Sequence, residues 1–181
     1  MEWRSRGYLP HYDGDAVQHL VFGLADAAPA RAVRNVTNTA PQERHEAFEA
    51  MFDVGHGGRI LANPRAADIV QRALLYFDAE RYCLLGWCVM PTHVHALIEI
   101  RASWPMASVM HSWKSFTANA VNQCLGRTGS LWGREYFDRM VRDDDHLEVV
   151  RNYIENNPVA AGLVGVQNAW PWSSASLGEP V

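Results

Sequence analysis

Two rhythms of apolar and polar positions run along this chain, and they divide it into helices and strands. Residues 16–24, AVQHLVFGL, read as a first strand. From Arg65 to Glu80 apolar side chains fall at Ala66, Ile69, Val70, Ala73, Leu74 and Phe77. That three-four spacing predicts an amphipathic helix. Residues 82–90, YCLLGWCVM, are a continuous apolar run of strand length, which suits a central strand buried on both faces. Pro91 and Thr92 make a turn, and His93–Ile100 completes a hairpin. Ser103-Trp104-Pro105 predicts a helix start, with a serine cap and proline in the first turn. The helix runs to Leu125, where Gly126 stops it. Its expected buried stripe is Met106, Val109, Met110, Trp113, Phe116, Ala120 and Cys124, with Lys114 and Ser115 beside it. Residues 133–141 predict a fourth strand. Asp143–Asp145 open a last helix at its positive end, and Pro158 ends it at about Asn157.

The remaining segments are irregular. Residues 1–14 read as an extended arm exposing Arg4, Arg6, Tyr8, His11 and Tyr12. Residues 26–41 read as a loop or insertion, residues 42–52 as a short helix. The glycine-rich DVGHGGRILANP lacks the Gly-Lys-Ser/Thr of a phosphate-binding loop and reads as a structural turn. WPWSSA reads as a packed C-terminal segment. The order of elements implies an α+β sandwich: a four-stranded, mostly antiparallel sheet with helices on one side.

Composition narrows the class. The 181 residues fit one domain, residues 1–181, at 48% hydrophobic and 20% charged, ordinary for a soluble protein. No apolar run is long enough to cross a bilayer, and the N-terminus lacks the apolar core of a signal peptide, so a cytoplasmic location and no membrane partner are expected. Cys83, Cys88 and Cys124 make neither a disulfide framework nor a zinc knuckle; five apart in a strand, Cys83 and Cys88 should face opposite ways as buried small hydrophobes. The net charge of −4 argues mildly against non-specific duplex DNA binding. Lys114 is the one lysine among 16 basic side chains, and arginine suits phosphate and base contact better.

The chemistry concentrates in two segments. His93 and His95 lie two apart in a strand and project together, while Val94 and Ala96 point the other way. Either they chelate a divalent metal or they are two half-exposed rings on a sheet face. A metal site needs a third ligand. On the last helix Tyr153 and Asn157 are four apart and share a face, with His146 on roughly the same side. They are a hydroxyl and an amide for such a site, or a core-edge aromatic and a helix cap.

Six motifs then occur in order: RGY at 6–8, WCVMPTHVH at 87–95, WKSFT at 113–117, WGREYFDR at 132–139, YIENNPVAAGL at 153–163 and WPWSS at 170–174. Together they resemble the REP-associated tyrosine transposases, single-tyrosine (Y1) members of the HUH nuclease superfamily, over nearly the whole chain. The resemblance implies a ferredoxin- or RRM-like HUH endonuclease fold. It implies cleavage and rejoining of single-stranded DNA at REP hairpins through a 5′-phosphotyrosine on Tyr153. It also implies a divalent cation, Mg2+ or Mn2+, held by His93, His95 and Asn157. Arg4, Arg6 and Tyr8 on the arm, with Lys114, Arg134 and Arg142, are the candidate DNA contacts. Relatives act as monomers or as homodimers.

Three departures stand out. Thr92 replaces a usual Asn or Glu and should affect only the turn. Ala160 replaces a usual lysine and removes a basic residue near the end of the helix. The insertion at 26–64 is longer than in minimal members. Tyr136 is a rival nucleophile that has no helical partner four residues on. Two other functions stay open: a transposase-derived hairpin-binding protein that does not cleave, and an unrelated metal hydrolase using His93 and His95 with a carboxylate.

Overall fold

Hydrogen-bond pairing reorders the predicted strands, and the new order decides where the candidate residues meet. The computed structural model describes residues 2–4, 11–13, 16–27, 33, 35–36, 38–39, 43–53, 57–101 and 104–177. A short antiparallel pair, β1 (Glu2–Arg4) and β2 (His11–Asp13), precedes the main sheet. That sheet contains β3 (Val17–Gly23), β4 (Tyr82–Val89), β5 (His93–Ile100) and β6 (Phe137–Met140) in the order β4-β5-β3-β6, every neighbour antiparallel. Among the described residues it is accompanied by the helices α1 (Arg44–Asp53), α2 (Pro64–Tyr76), α3 (Met106–Leu125) and α4 (Asp144–Ala160). The α+β class and the four-stranded antiparallel sheet are as the hydrophobic pattern implies. No helix among the described residues is long and apolar enough to cross a membrane.

The helices do not all lie on one side. On one face Leu20, Phe22, Val94, Ala96 and Ile98 pack against Ala66, Val70 and Leu74 of α2 and Val109, Met110 and Trp113 of α3. On the other, Cys88, Met90 and Leu97 pack against Val150 and Ile154 of α4. The β5 strand supplies both sets because its side chains alternate.

The apolar run at 82–90 is an edge strand, not a central one. Its outer edge is covered by the C-terminal segment. The Val89 amide donates to the Trp172 carbonyl at 2.8 Å, and Ser173 bridges Cys88. The Trp87 amide donates to Ser174 Oγ at 3.1 Å, and the Trp170 indole donates to the Val89 carbonyl at 3.0 Å. The tail thus stands in for a fifth strand and buries an edge that would otherwise pair with other chains. A bulge between Leu84 and Gly86 also overturns the expected parity of the cysteines. Cys83 pairs with Glu99 and Cys88 with His95, two positions on one face of β5. An extra residue in the bulge flips the alternation.

Local signals held in part. α3 begins at Met106 behind an N-terminal Pro105, with no side-chain cap, and Ser103 lies outside the described residues. Gly126 closes it in the left-handed region at φ 62°. The buried stripe drifts to Thr117 and Val121, leaving Phe116 exposed and Ala120 and Cys124 half-buried. Asp143 caps α4 by accepting the His146 amide at 2.8 Å. Pro158 lies inside α4 rather than ending it, and the turn beyond closes with the Ala161 amide on the Asn157 carbonyl. A proline removes one bond, which a terminal turn tolerates. β6 is shorter than the predicted 133–141. In the arm, His11 and Tyr12 are half-buried, because Asp138 of β6 holds both: Oδ1 is 2.6 Å from His11 Nδ1, and Oδ2 accepts the Tyr12 amide at 2.6 Å.

Candidate active site

The antiparallel register of β3 and β5 sets Gly23 opposite His93, Val21 opposite His95 and His19 opposite Leu97. Opposed residues share a face, so His19, His93 and His95 lie on the face that α4 covers. All three rings are buried, not half-exposed. His93 Nε2 and His95 Nε2 face each other at 2.9 Å. On the outer sides of the pair, His93 Nδ1 is 2.9 Å from Thr92 Oγ1. His95 Nδ1 is 3.1 Å from His19 Nε2 and 3.4 Å from Glu49 Oε1. Burial pushes the His93 pKa down to about 3, so at neutral pH this ring is the uncharged imidazole that can donate a lone pair.

Glycine has a specific job here. A Cβ on Gly23 would come within 2.0 Å of the Phe52 ring. Its absence lets Phe52 of α1 lie over His93, centroids 4.8 Å apart and planes 18° from parallel. Phe48, one turn earlier, stacks on Phe137 at 5.8 Å. These two aromatics seat α1 over the histidine face and bring Glu49 into the site.

α4 delivers Tyr153 from above. Its hydroxyl donates to Glu49 Oε2 at 2.6 Å. Its ring stands edge-on to both His95 and His19, centroids 6.1 and 6.3 Å away. The ring is 43% exposed, so a ligand can reach it from solvent. Asn157 lies one turn further on, half-buried. Histidine and acidic ligand atoms of His19, Glu49 and His95 all lie within 4.8 Å of one another. The structure therefore joins His93, His95 and Tyr153, and adds His19, Glu49 and Thr92.

Those three additions differ in how visible they were. Thr92 was expected to affect only the turn, yet its hydroxyl contacts the first histidine of the pair. His19 stands at a polar position in an apolar strand, a signal that was there to be taken. Glu49 had none, because only tertiary packing brings α1 over the sheet.

The remaining candidates are placed as follows. Lys114 Nζ donates to the carbonyls of Gly133, Arg134 and Glu135 at 3.0, 3.3 and 3.1 Å, which occupies all three of its protons in bracing the loop before β6. Burial pushes its pKa down to about 8, against the opposing pull of Glu135. Arg134 lines a cavity of about 520 Å3 with Gly23, Phe48 and Phe52, beside the His93 end of the site. Arg142 is exposed ahead of α4, and its amide donates to His146 Nδ1 at 3.2 Å, so His146 braces the helix start rather than joining the site. Tyr136 stacks on His11 at 3.9 Å in the arm contact. Arg6 and Tyr8 lie outside the described residues, and Arg4 is described only as backbone of β1.

The chain is similar to known proteins in the segment that builds this site. The model of the family described as IS200-like transposase matches residues 62–157, more than half of the chain. A Haemophilus influenzae protein named as a REP-associated tyrosine transposase is 28% identical over 97 residues, 48% of this chain and 55% of that relative. The chain thus spans about half the length of that curated relative. A solved structure of a REP-associated tyrosine transposase bound to a REP hairpin shares the fold, with a TM-score of 0.60 at 16% identity over 96% of this chain and 82% of the other. The family match includes His93, His95, Tyr153 and Asn157. His19 and Glu49 fall before it.

Proposed function

Because the chain belongs to the family of IS200-like transposases, we propose that it cleaves and rejoins single-stranded DNA at REP-type hairpins, with Tyr153 as nucleophile and a divalent metal, Mg2+ or Mn2+, at its buried histidines. The observation that carries this is the position of one hydroxyl: Tyr153 Oη reaches the histidine cluster through Glu49 at 2.6 Å, on the helix that also bears Asn157.

The donor set fits a cation. Thr92 occupies the outer side of His93, and His19 and Glu49 occupy the outer side of His95. The two Nε2 atoms then converge at 2.9 Å. At that distance the pair can share one N–H···N hydrogen bond, or both can turn a lone pair to one cation in place of that proton. His93 and His95 would hold the ion with Asn157 as the oxygen ligand, a mixed N/O set suited to Mg2+ or Mn2+. When bound, the ion would polarise a phosphate oxygen and stabilise the charge that develops there.

The protein's own groups do the rest. The free phenol has pKa ~10 and attacks poorly until its proton is drawn away. The Glu49 carboxylate already accepts the hydrogen bond that this proton makes, at 2.6 Å. Attack by Tyr153 Oη releases the phenol proton, forms the O–P bond and breaks the P–O3′ bond, and the departing O3′ takes up a proton, leaving a 5′-phosphotyrosine and a 3′-hydroxyl. Reversal by another 3′-hydroxyl rejoins the strand without ATP. Arg134, beside the cavity, and the exposed Arg142 are the candidates for phosphate contact, and Arg4, Arg6 and Tyr8 for the hairpin foot. Lys114 is left out, since phosphate contact would break its three carbonyl bonds.

Incubation with a hairpin oligonucleotide and Mg2+ or Mn2+, followed by a denaturing gel, tests the proposal. A covalent protein–DNA band lost in Tyr153→Phe is expected. Hairpin binding without an adduct in any metal would instead make this a non-cleaving hairpin-binding protein. Hydrolysis that survives Tyr153→Phe would make it a metal hydrolase.

A further inference from the structure

We infer that Glu49 is a positioning residue that sets Tyr153 and His95 relative to each other, and that the inserted segment carrying it is part of the active centre. The inference rests on the cleavage reading above for its catalytic consequence, while its structural half stands on geometry alone. One carboxylate oxygen, Oε2, accepts the Tyr153 hydroxyl at 2.6 Å; the other, Oε1, faces His95 Nδ1 at 3.4 Å. A single rigid group thereby links the nucleophile, on α4, to the second histidine of the pair, on β5.

A packing role does not account for Glu49. Its side chain is buried, with Phe48 and Phe52 on the same short helix. Burying a carboxylate is costly unless its oxygens are hydrogen-bonded, and an apolar side chain would fill the space more cheaply. The seat of the helix is itself built around the site. Gly23 makes room for Phe52 on His93, and Phe48 stacks on Phe137 of β6. The carboxylate is therefore hydrogen-bonded to Tyr153 through Oε2 and in 3.4 Å charge contact with His95 Nδ1 through Oε1, a nitrogen that His19 Nε2 also approaches at 3.1 Å.

The consequence concerns orientation. An acceptor at Nδ1 of a metal-ligating histidine holds the ring's proton on that side and leaves Nε2 for the ion, and loss of such a partner typically costs ~10–100-fold in metal affinity or activity. Here the same acceptor also orients the phenol. The family match begins at residue 62, so Glu49, like β3 with His19, lies ahead of the matched segment.

The test uses the full chain, with Glu49→Gln as the isosteric neutral variant. In metal-free protein, the imidazole 15N pattern of His95 and the 13Cζ shift of Tyr153 report the two contacts directly. With metal and hairpin, single-turnover adduct formation and hairpin affinity are measured separately. The inference expects both spectral signals to move, hairpin affinity to stay within about twofold, and adduct formation to slow by ~10–100-fold. Unchanged spectra, or changed spectra with a wild-type adduct rate, would overturn it. A wild-type protein that makes no adduct defeats the cleavage reading, and the spectra alone then decide whether Glu49 positions the pair. Should Glu49→Gln fail to fold, Tyr153→Phe replaces it in the metal-free measurement: the His95 signals are expected to move as Glu49 loses its phenol, and unmoved signals would overturn the inference.

Discussion

The two faces of one β-sheet are built from the same two strands and do opposite work. Toward α2 and α3, β3 and β5 offer Leu20, Phe22, Val94, Ala96 and Ile98, all fully buried and all apolar. Toward α4 and α1, the alternate positions of the same strands offer His19, His93 and His95, equally buried but polar. The first face is a core that any well-packed apolar set would satisfy. The second keeps imidazoles out of water, which is unfavourable unless their nitrogens find partners. Thr92 stands at His93 Nδ1, His19 and Glu49 stand at His95 Nδ1, and the Nε2 atoms of His93 and His95 face each other. The contrast teaches a division within the α4 face: Cys88, Met90 and Leu97 seat the helix, and the buried imidazoles beside them serve arrangement.

Substitutions on the two faces should separate cleanly. Ile98→Ala deletes a fully buried side chain from the apolar face and should cost about 2–5 kcal/mol of stability, read by chemical denaturation. Any adduct activity of the folded fraction should stay near wild type. A large loss of activity in that folded fraction would break the distinction. Thr92→Val keeps the shape but removes the hydroxyl at His93 Nδ1. Mn2+ affinity by electron paramagnetic resonance should fall ~10–100-fold, about 1.4–2.7 kcal/mol, with little loss of stability. An unchanged affinity would return Thr92 to the role of a turn residue.

The smallest effect concerns Lys114, which braces the loop beside the site. Its pKa in the folded protein, about 8, lies below the ordinary 10.5. Between those values the unfolded chain binds the extra proton, so stability should rise as pH rises through that window. The slope should be shallower in Lys114→Met, compared by thermal melts at pH 7.5 to 9.5. A steeper slope in the variant would contradict the assignment.

Much of this arrangement was legible in the sequence, for physical reasons that differ by residue. The alternation in HVHALIEI fixes which face His93 and His95 share, because a strand has only two. The i, i+4 spacing of Tyr153 and Asn157 fixes their shared helical face in the same way. Strand order was not legible, since the apolar run at 82–90 satisfies a central strand and a covered edge equally well. The bulge at Leu84–Gly86 was not visible either, and it reversed the expected parity of Cys83 and Cys88. Both helix-termination expectations relied on single residues. Gly126 stopped α3 because a left-handed φ favours it, whereas Pro158 cost α4 only one bond. Glu49 was out of reach, because its meaning comes from α1 packing across the sheet.

The central claim is that the polar face places one phenol for attack on DNA. Its most direct test is to incubate the protein with a hairpin oligonucleotide and Mn2+, digest the product with protease, and locate any attached nucleotide by mass spectrometry. The account predicts a 5′-phosphoryl nucleotide on the peptide containing Tyr153, absent when the metal is chelated. A nucleotide on Tyr136 or any other residue, or cleaved DNA with no covalent peptide, would contradict it.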